Sequence, residues 1–502
     1  MIRRTGSRPR SSPTRRAGSR VWSAVVTVLS AVTVFVAAVA PGVIDSGSPL
    51  ALARLPIECL LALVALILLP WRWARRAVAI LAAVLLVAAA ILATLDRVFL
   101  TTVGRPFDVV AGWSELGDGY GVVSDSAGSL GALALLVLVG LLVVAAADSV
   151  GAAASTVHQV EVAARDRAVF DRSAASDPYS RLPASDLLTG LKGKDVLVVF
   201  VESYGQVAVQ DTSFAPGVDA VLRSGDTELA AHGYAERSAF LTSSTFGGIS
   251  WLAHSTLQTG LWIDSQQKYD QVTTTTRFTL SDAFRKSGWQ TLSDVPSDTR
   301  PWPIGSSFYH FGKQLNAQNV GYRGPTFSYA RVPDQYTWAY LQKHELGVPH
   351  TPLMAEIDLV SSHTPWTPLP RLVPWDAVGD GSVYDPQPAE GLPPSVVWQS
   401  PQHVQQLYGQ SIEYTMGALF SFLTSFDDPD LVLVVLGDHQ PATVVSGVGA
   451  NHQVPISIIS KDRAVIDRIG SWKWQPGMLP SPSAPVWRMD AFRDRFLAAY
   501  GP

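Results

Sequence analysis

Four apolar runs, at 22–40, 55–71, 77–95 and 130–147, constrain this chain more than any other feature. Each approaches the roughly 20 residues a helix needs to cross the hydrocarbon core of a bilayer. A secretory leader does not repeat four times, so the pattern predicts an α-helical transmembrane bundle over 21–148. Seven arginines (Arg3, Arg4, Arg8, Arg10, Arg15, Arg16, Arg20) make 1–20 a basic cytoplasmic tail. Arg72, Arg75 and Arg76 form a second basic cluster on the same side, by the positive-inside rule. The segment 98–129 carries Asp108, Glu115 and Asp118 and is too polar for an easy crossing. Phe99, Phe107 and Trp113 suit a re-entrant or interfacial piece. A formal net charge of −4 gives no sign of a nucleic-acid partner. The single cysteine, Cys59, excludes an intramolecular disulfide.

Residues 149–190 are rich in Ala, Asp, Arg and Ser and read as a connecting helix and linker. From 191 to 502 the texture is that of a folded domain. VLVVFVES (196–203), LMAEIDLV (353–360), LVLVVLG (431–437) and VPISII (454–459) are near-continuous apolar runs, as expected of strands covered on both faces. Helix-like stretches around 250–259, 279–287 and 403–425 lie between them. Strands alternating with helices predict an α/β sandwich with a mostly parallel central sheet.

In such sheets ligands bind at the carboxyl ends of the strands, so the residues just past each strand are the first candidates for a site. Glu202 comes after the first run, His363 after the second, Asp438 and His439 after the third; His452 precedes the fourth. Carboxylates and a histidine at two strand tips are the mixed O and N donors that suit zinc or manganese. An Asp-His pair also caps helices and binds backbone, so the pair alone does not decide. GGISWLAHSTLQTG (247–260) places Ser250 and His254 one helical turn apart behind two glycines. A helix N-terminus aims hydroxyl and N–H groups at an anion, and the glycines permit close approach of the backbone. A serine that merely caps the helix fits the same residues. His254 shares a helix face with Ser250 and is a candidate base or anion ligand, or a histidine packed on Trp251.

Ser250 through Thr259-Gly260 is similar in spacing to the sulfatase signature C/S-x-P-S-R-x-x-L-L-T-G. With VLVVFVES and LGDHQP, the region 190–470 resembles the alkaline phosphatase/sulfatase superfamily. Within it, the resemblance is to the membrane-anchored phosphotransferase branch of lipoteichoic acid synthases, phosphoglycerol transferases and phosphoethanolamine transferases. That resemblance implies one divalent metal ion (Mn, Zn or Mg) on Glu202, Ser250, Asp438 and His439. It implies Ser250 as nucleophile and His363 as substrate ligand or proton donor to the leaving group. It also implies His452 as a phosphate ligand, although it lies one residue further from the Val-Pro pair than expected. His254 stands at the position of the signature's arginine, and Leu252 replaces its proline or alanine. Conversion of Ser250 to formylglycine is therefore not expected, which points from sulfate to phosphate esters; a sulfatase and a non-catalytic binding domain are the rivals. The implied partners are a lipid or cell-envelope glycopolymer substrate and the lipid bilayer. The implied location is a bacterial-type cell membrane, multi-pass, with an extracytoplasmic catalytic domain. Four crossings from a cytoplasmic tail would instead return that domain to the cytoplasm.

Overall fold

The computed structural model describes residues 168–502, together with Leu92, Leu95, Asp96, Phe99 and Phe107. The basic tail, the four apolar runs apart from Leu92 and Leu95, and nearly all of 98–129 lie outside the described residues. Among the described residues no helix is long and apolar enough to cross a membrane. The chain divides into two compact units, Met1–Arg97 with Ala134–Val160, and Val98–Leu133 with Glu161–Pro502. The second carries the sheet.

Nine strands form one sheet. They are β1 (Asp195–Val201), β2 (Ala235–Thr242), β3 (Gln290–Val295), β4 (Lys313–Asn316), β5 (Leu353–Leu359), β6 (Leu431–Gly437), β7 (Gln453–Ser460), β8 (Gln475–Pro476) and β9 (Val486–Arg488). Their order is β4-β3-β5-β1-β6-β7-β2-β8, with β9 paired to β2. The helices that matter for the site are α1 (Ala215–Ala231), α2 (Ser250–Thr259), α3 (Leu280–Lys286), α4 (Asp334–Leu341), α5 (Pro401–Phe426) and α6 (Phe492–Ala499).

The apolar runs follow from a sheet covered on both faces. Leu197, Val199 and Val201 of β1 pack with Val218 and Leu222 of α1 and Ile412 and Met416 of α5. Val196, Val198 and Phe200 face the other way, onto Leu252 and Leu257 of α2, Phe284 of α3 and Phe492 of α6. Every residue of β1 and β6 is buried, so neither strand has a polar face to alternate.

The strands from β4 to β6 are all parallel. Beyond them the sheet is not parallel throughout, because β7 is antiparallel to both β6 and β2, an exception the expectation of a mostly parallel sheet did not place. The sheet is mixed. An apolar run records burial on two faces but carries no sign of direction, which is why β7 read like its neighbours. The reversal has a consequence: the start of β7 lies at the same edge as the ends of β6 and β2.

The end of the stretch read as a linker belongs to this unit. Phe170, Ala174, Leu187 and Leu188 are buried in the cluster beneath α2. Asp177 pairs with Arg493 at 2.7 Å and Arg277 at 3.2 Å. Arg493 of α6 has no exposed side-chain surface.

Candidate active site

The tips of β1 and β6 and the first residue of α2 converge. Ser250 Oγ donates to Glu202 Oε2 at 3.0 Å and lies 3.2 Å from His439 Nε2. His439 Nε2 is 3.4 Å from Glu202 Oε1 and 3.5 Å from Asp438 Oδ2. Four residues from three separate parts of the sequence thus place their oxygens and one nitrogen within a few ångströms of each other.

Local backbone explains each placement. Gly437, the last residue of β6, brings the chain so near that an added Cβ would lie 1.9 Å from the Tyr204 carbonyl oxygen. Ser203 adopts φ 57°, the left-handed region an L-residue seldom enters. Its N–H donates to Asp438 Oδ1 at 2.8 Å, and its carbonyl accepts from Tyr408 Oη of α5 at 2.8 Å. These bonds hold a turn that would otherwise relax. Ile249, at φ 65°, stands between Gly248 at φ 152° and Ser250. A β-branched residue in that region is strained, and the turn it completes delivers Ser250 to the strand ends. Ile249 occupies the N-cap position, and Ser250 is the first helical residue. The Ser250 hydroxyl caps nothing; it faces Glu202 and His439.

The protonation of His439 is set by its partners. Nδ1 lies 2.9 Å from the Gln440 carbonyl oxygen, which can only accept. Nδ1 therefore carries the proton, and Nε2 turns its lone pair to Ser250 in the neutral ring. Burial opposes the charge on Glu202, but His363, His439 and hydrogen bonds from Asp438 and Ser203 hold its carboxyl down to about 2. Burial, and then the charge of Glu202, push the Asp438 carboxyl upward. Two buried carboxylates facing one imidazole are short of positive charge. The donors lie 3.0–3.5 Å apart. Ligands at 2.0–2.1 Å from a tetrahedral ion stand about 3.3–3.4 Å apart, so a zinc- or manganese-like ion fits this donor set.

His363 comes after β5. Its Nδ1 lies 2.6 Å from the Thr364 carbonyl oxygen, and its ring stacks on Tyr329 with centroids 3.5 Å apart. Ser362 Oγ donates to the Glu202 carbonyl oxygen at 2.6 Å, which fastens the His363 turn to the tip of β1. His452 stands at the start of β7, half-buried beside Phe246, with ring centroids 5.2 Å apart. Burial lowers its pKa, partly offset by hydrogen bonds to backbone at Ser243 and Thr245. It shares the edge of the sheet with the donor cluster but is not one of its members.

His254 does not meet Ser250. Its ring lies flat on Phe200, with centroids 3.8 Å apart, and its Nδ1 faces Glu356 Oε1 at 3.5 Å and Asp358 Oδ1 at 3.6 Å. Burial disfavours its charge, yet Asp358 and Glu356 raise its pKa to about 9. Its Nδ1 faces these two carboxylates and not Ser250 Oγ, so the geometry lends no support to a base at this position. Sharing a helix face was not enough, because Ser250 at the helix start reaches past the end while His254 lies against β1. The Trp251 alternative fails too, since the histidine's ring contact is Phe200. Trp251 instead donates to Gln266.

Glu356 and Asp358 were missed by sequence reading, although a signal was present. They stand two apart within the apolar run LMAEIDLV, on one face of a buried strand, where unpaired carboxylates are costly. The loop aromatics near the strand ends behave differently: Tyr309 and Trp366 are 2% exposed and belong to the core. Trp375 packs on Phe426, and Trp302 on Tyr309.

The described unit is an α/β fold with a mixed sheet. Among the solved structures similar to this chain is a protein in the alkaline phosphatase superfamily from Vibrio parahaemolyticus, 17% identical over 58% of this chain and 68% of that one, with a TM-score of 0.38. Lipooligosaccharide phosphoethanolamine transferase A from Neisseria meningitidis is 13% identical, with 87% of this chain and 86% of that one covered and a TM-score of 0.43. The lipoteichoic acid synthase from Listeria monocytogenes is 14% identical over 66% and 80%, with a TM-score of 0.36. The Streptococcus pyogenes phosphoglycerol transferase, solved with sn-glycerol-1-phosphate, is 12% identical over 68% and 91%, with a TM-score of 0.36. No family model and no curated protein matches the sequence. At these identities and scores the function rests on the motifs and geometry of the chain itself.

Proposed function

We propose that this chain is a metal-dependent phosphoryl-group transferase or phosphodiester hydrolase that works through a phosphoserine on Ser250. One observation carries the reading: Ser250 Oγ, at the first turn of α2, lies 3.0 Å from Glu202 Oε2 and 3.2 Å from His439 Nε2. A divalent ion held by Glu202, Ser250, Asp438 and His439 would lower the pKa of the hydroxyl and polarise a phosphoryl oxygen. The Glu202 carboxylate, to which the Ser250 hydroxyl already donates, is the acceptor within reach of its proton. As the Oγ–P bond forms, the bond from phosphorus to the leaving alcohol breaks, and His363 gives that oxygen its proton. The N-terminus of α2 and His452 favour the negative charge of the phosphoryl group. Water or an acceptor alcohol then attacks the phosphoserine and returns the proton to Ser250. His254 is left out as a base, since its Nδ1 faces two carboxylates. The motif resemblance and the four apolar runs support a lipid-linked or envelope glycopolymer substrate at a bilayer.

The test uses the full chain in detergent with a generic phosphodiester and a sulfate ester, each with Mn²⁺ or Zn²⁺. Phosphodiester turnover is expected, and Ser250→Ala should lower it by roughly 10³-fold or more. Mass spectrometry of a quenched reaction should find a phosphoryl group on Ser250. Turnover that survives Ser250→Ala removes the reading, and formylglycine at position 250 replaces it with a sulfatase.

A further inference from the structure

A second cluster of donors lies beside the first. His254 Nδ1 is 3.5 Å from Glu356 Oε1 and 3.6 Å from Asp358 Oδ1, on the face of the sheet that α2 covers. These separations are long for a charged hydrogen bond, which runs about 2.7–2.9 Å. They match the spacing of two ligands on one tetrahedral ion, about 3.3–3.4 Å, and the donor spacing of the first cluster. All three ligand atoms lie within 4.8 Å of one another.

Two further observations point to a ligand. Asp358 Oδ1 is buried and has no hydrogen-bond donor. Glu356 is 5% exposed, and its other oxygen accepts from Gln258 Nε2, which leaves Oε1 turned to His254. Among the described residues His254 is the one basic group within ion-pair distance of either carboxylate. The His254 and Asp358 side chains retain 13% and 17% of their surface, against 6% for Glu356. With three protein donors, the fourth position of a tetrahedral shell is left to a water or substrate oxygen.

We propose that His254, Glu356 and Asp358 form a second divalent-cation site, of the zinc or manganese class, adjoining the Ser250 centre. His254 is one turn beyond Ser250 on α2, and Leu359, next to Asp358, accepts from the Glu202 N–H at 3.1 Å. An ion here takes the place of the proton that otherwise balances the two carboxylates, and releases it. It gives the site a second positive centre for a phosphoryl or acceptor oxygen, and assigns Gln258 to orienting Glu356.

The test is metal stoichiometry. The full chain in detergent is equilibrated with Zn²⁺ or Mn²⁺, freed of excess, and analysed by elemental mass spectrometry. Two equivalents are expected in the unaltered chain, and one in each of Asp358→Asn, Glu356→Gln and Asp438→Asn. The double variant of Asp358→Asn with Asp438→Asn should bind none. Circular dichroism establishes that each variant is folded, and His254→Gln serves where a carboxylate variant is not. One equivalent in the unaltered chain, kept in Asp358→Asn and lost in Asp438→Asn, overturns this site and leaves the first standing. One equivalent lost in Asp358→Asn but kept in Asp438→Asn supports this site and removes the metal from the Ser250 reading. No bound metal overturns both.

Discussion

Asp294 of β3 is a costly carboxylate outside the candidate site. It is 1% exposed, and neither of its oxygens has a hydrogen-bond partner. Burial, with the charge of Glu345, pushes its carboxyl up to about 7. An unfolded aspartate ionises near 3.9, so between about pH 4 and pH 7 the folded chain binds a proton that the unfolded chain has lost. Stability should therefore fall as pH rises through that window and level off above it. Asp294→Asn should remove this loss: little change in denaturant midpoint at pH 4, and a gain on the order of a few kcal/mol at pH 8. Equal effects at both pH values would refute the assignment. The active-site residues obey a different logic. Glu202, Asp438 and His439 were legible as candidates because each ends an apolar run, and runs of that kind end where open α/β sheets bind ligands. Nothing in the sequence showed which atom of Ser250 meets which atom of His439, or that His254 turns to β5. Those contacts depend on the left-handed turns at Ser203 and Ile249, which no residue type at those positions announces.

At the scale of elements, buried ion pairs decide how the last helix is held. Arg493 of α6 has no exposed surface, meets Asp177 at 2.7 Å and donates to the Phe278 carbonyl oxygen just before α3. Arg277 reaches the same aspartate and the Thr259 carbonyl oxygen at the end of α2. Helices α2, α3 and α6 and the chain entering the domain are thus joined through one carboxylate. Removing one partner of a buried pair typically costs about 3–5 kcal/mol. Arg493→Met should lower stability by that order in a denaturant titration. Arg285→Ala, which breaks an exposed pair with Asp282, should change it by less than about 0.5 kcal/mol. A small effect of Arg493→Met would show that the network is not what holds α6. The strands β1, β5, β6 and β7 were readable from their uniform burial. β2, β3 and β4 were not, because ERSAFLT, QTLSDV and KQLN mix polar and apolar residues, and β4 lies at the sheet's edge.

At the scale of the whole molecule, metal and membrane set two expectations. An ion that binds only the folded chain raises stability by mass action, by about 2.7 kcal/mol at a hundredfold excess over its dissociation constant. Zn²⁺ or Mn²⁺ should therefore raise the melting temperature of the folded domain; Asp438→Asn should lose part of that rise, and Asp438→Asn with Asp358→Asn all of it. An unchanged melting temperature with saturating metal would count against a cation at the Ser250 centre. The side of the membrane is decided by reporter fusions at Gly42, Gly117 and Ser176. We expect an extracytoplasmic signal at Ser176. Signal only at Gly42 and Gly117 would place the catalytic domain in the cytoplasm.

By itself the sequence determined the α/β character of 191–502, the strands with two apolar faces, and the four residues whose chemistry suits a metal and a nucleophile. It could do so because burial and donor type are properties of single residues and their period. Strand direction, the reversal that brings His452 to the site's edge, and the pairing of His254 with Glu356 and Asp358 were decided by tertiary structure. They are relations between segments a hundred or more residues apart in part, and only the folded sheet fixes which of its neighbours a side chain meets.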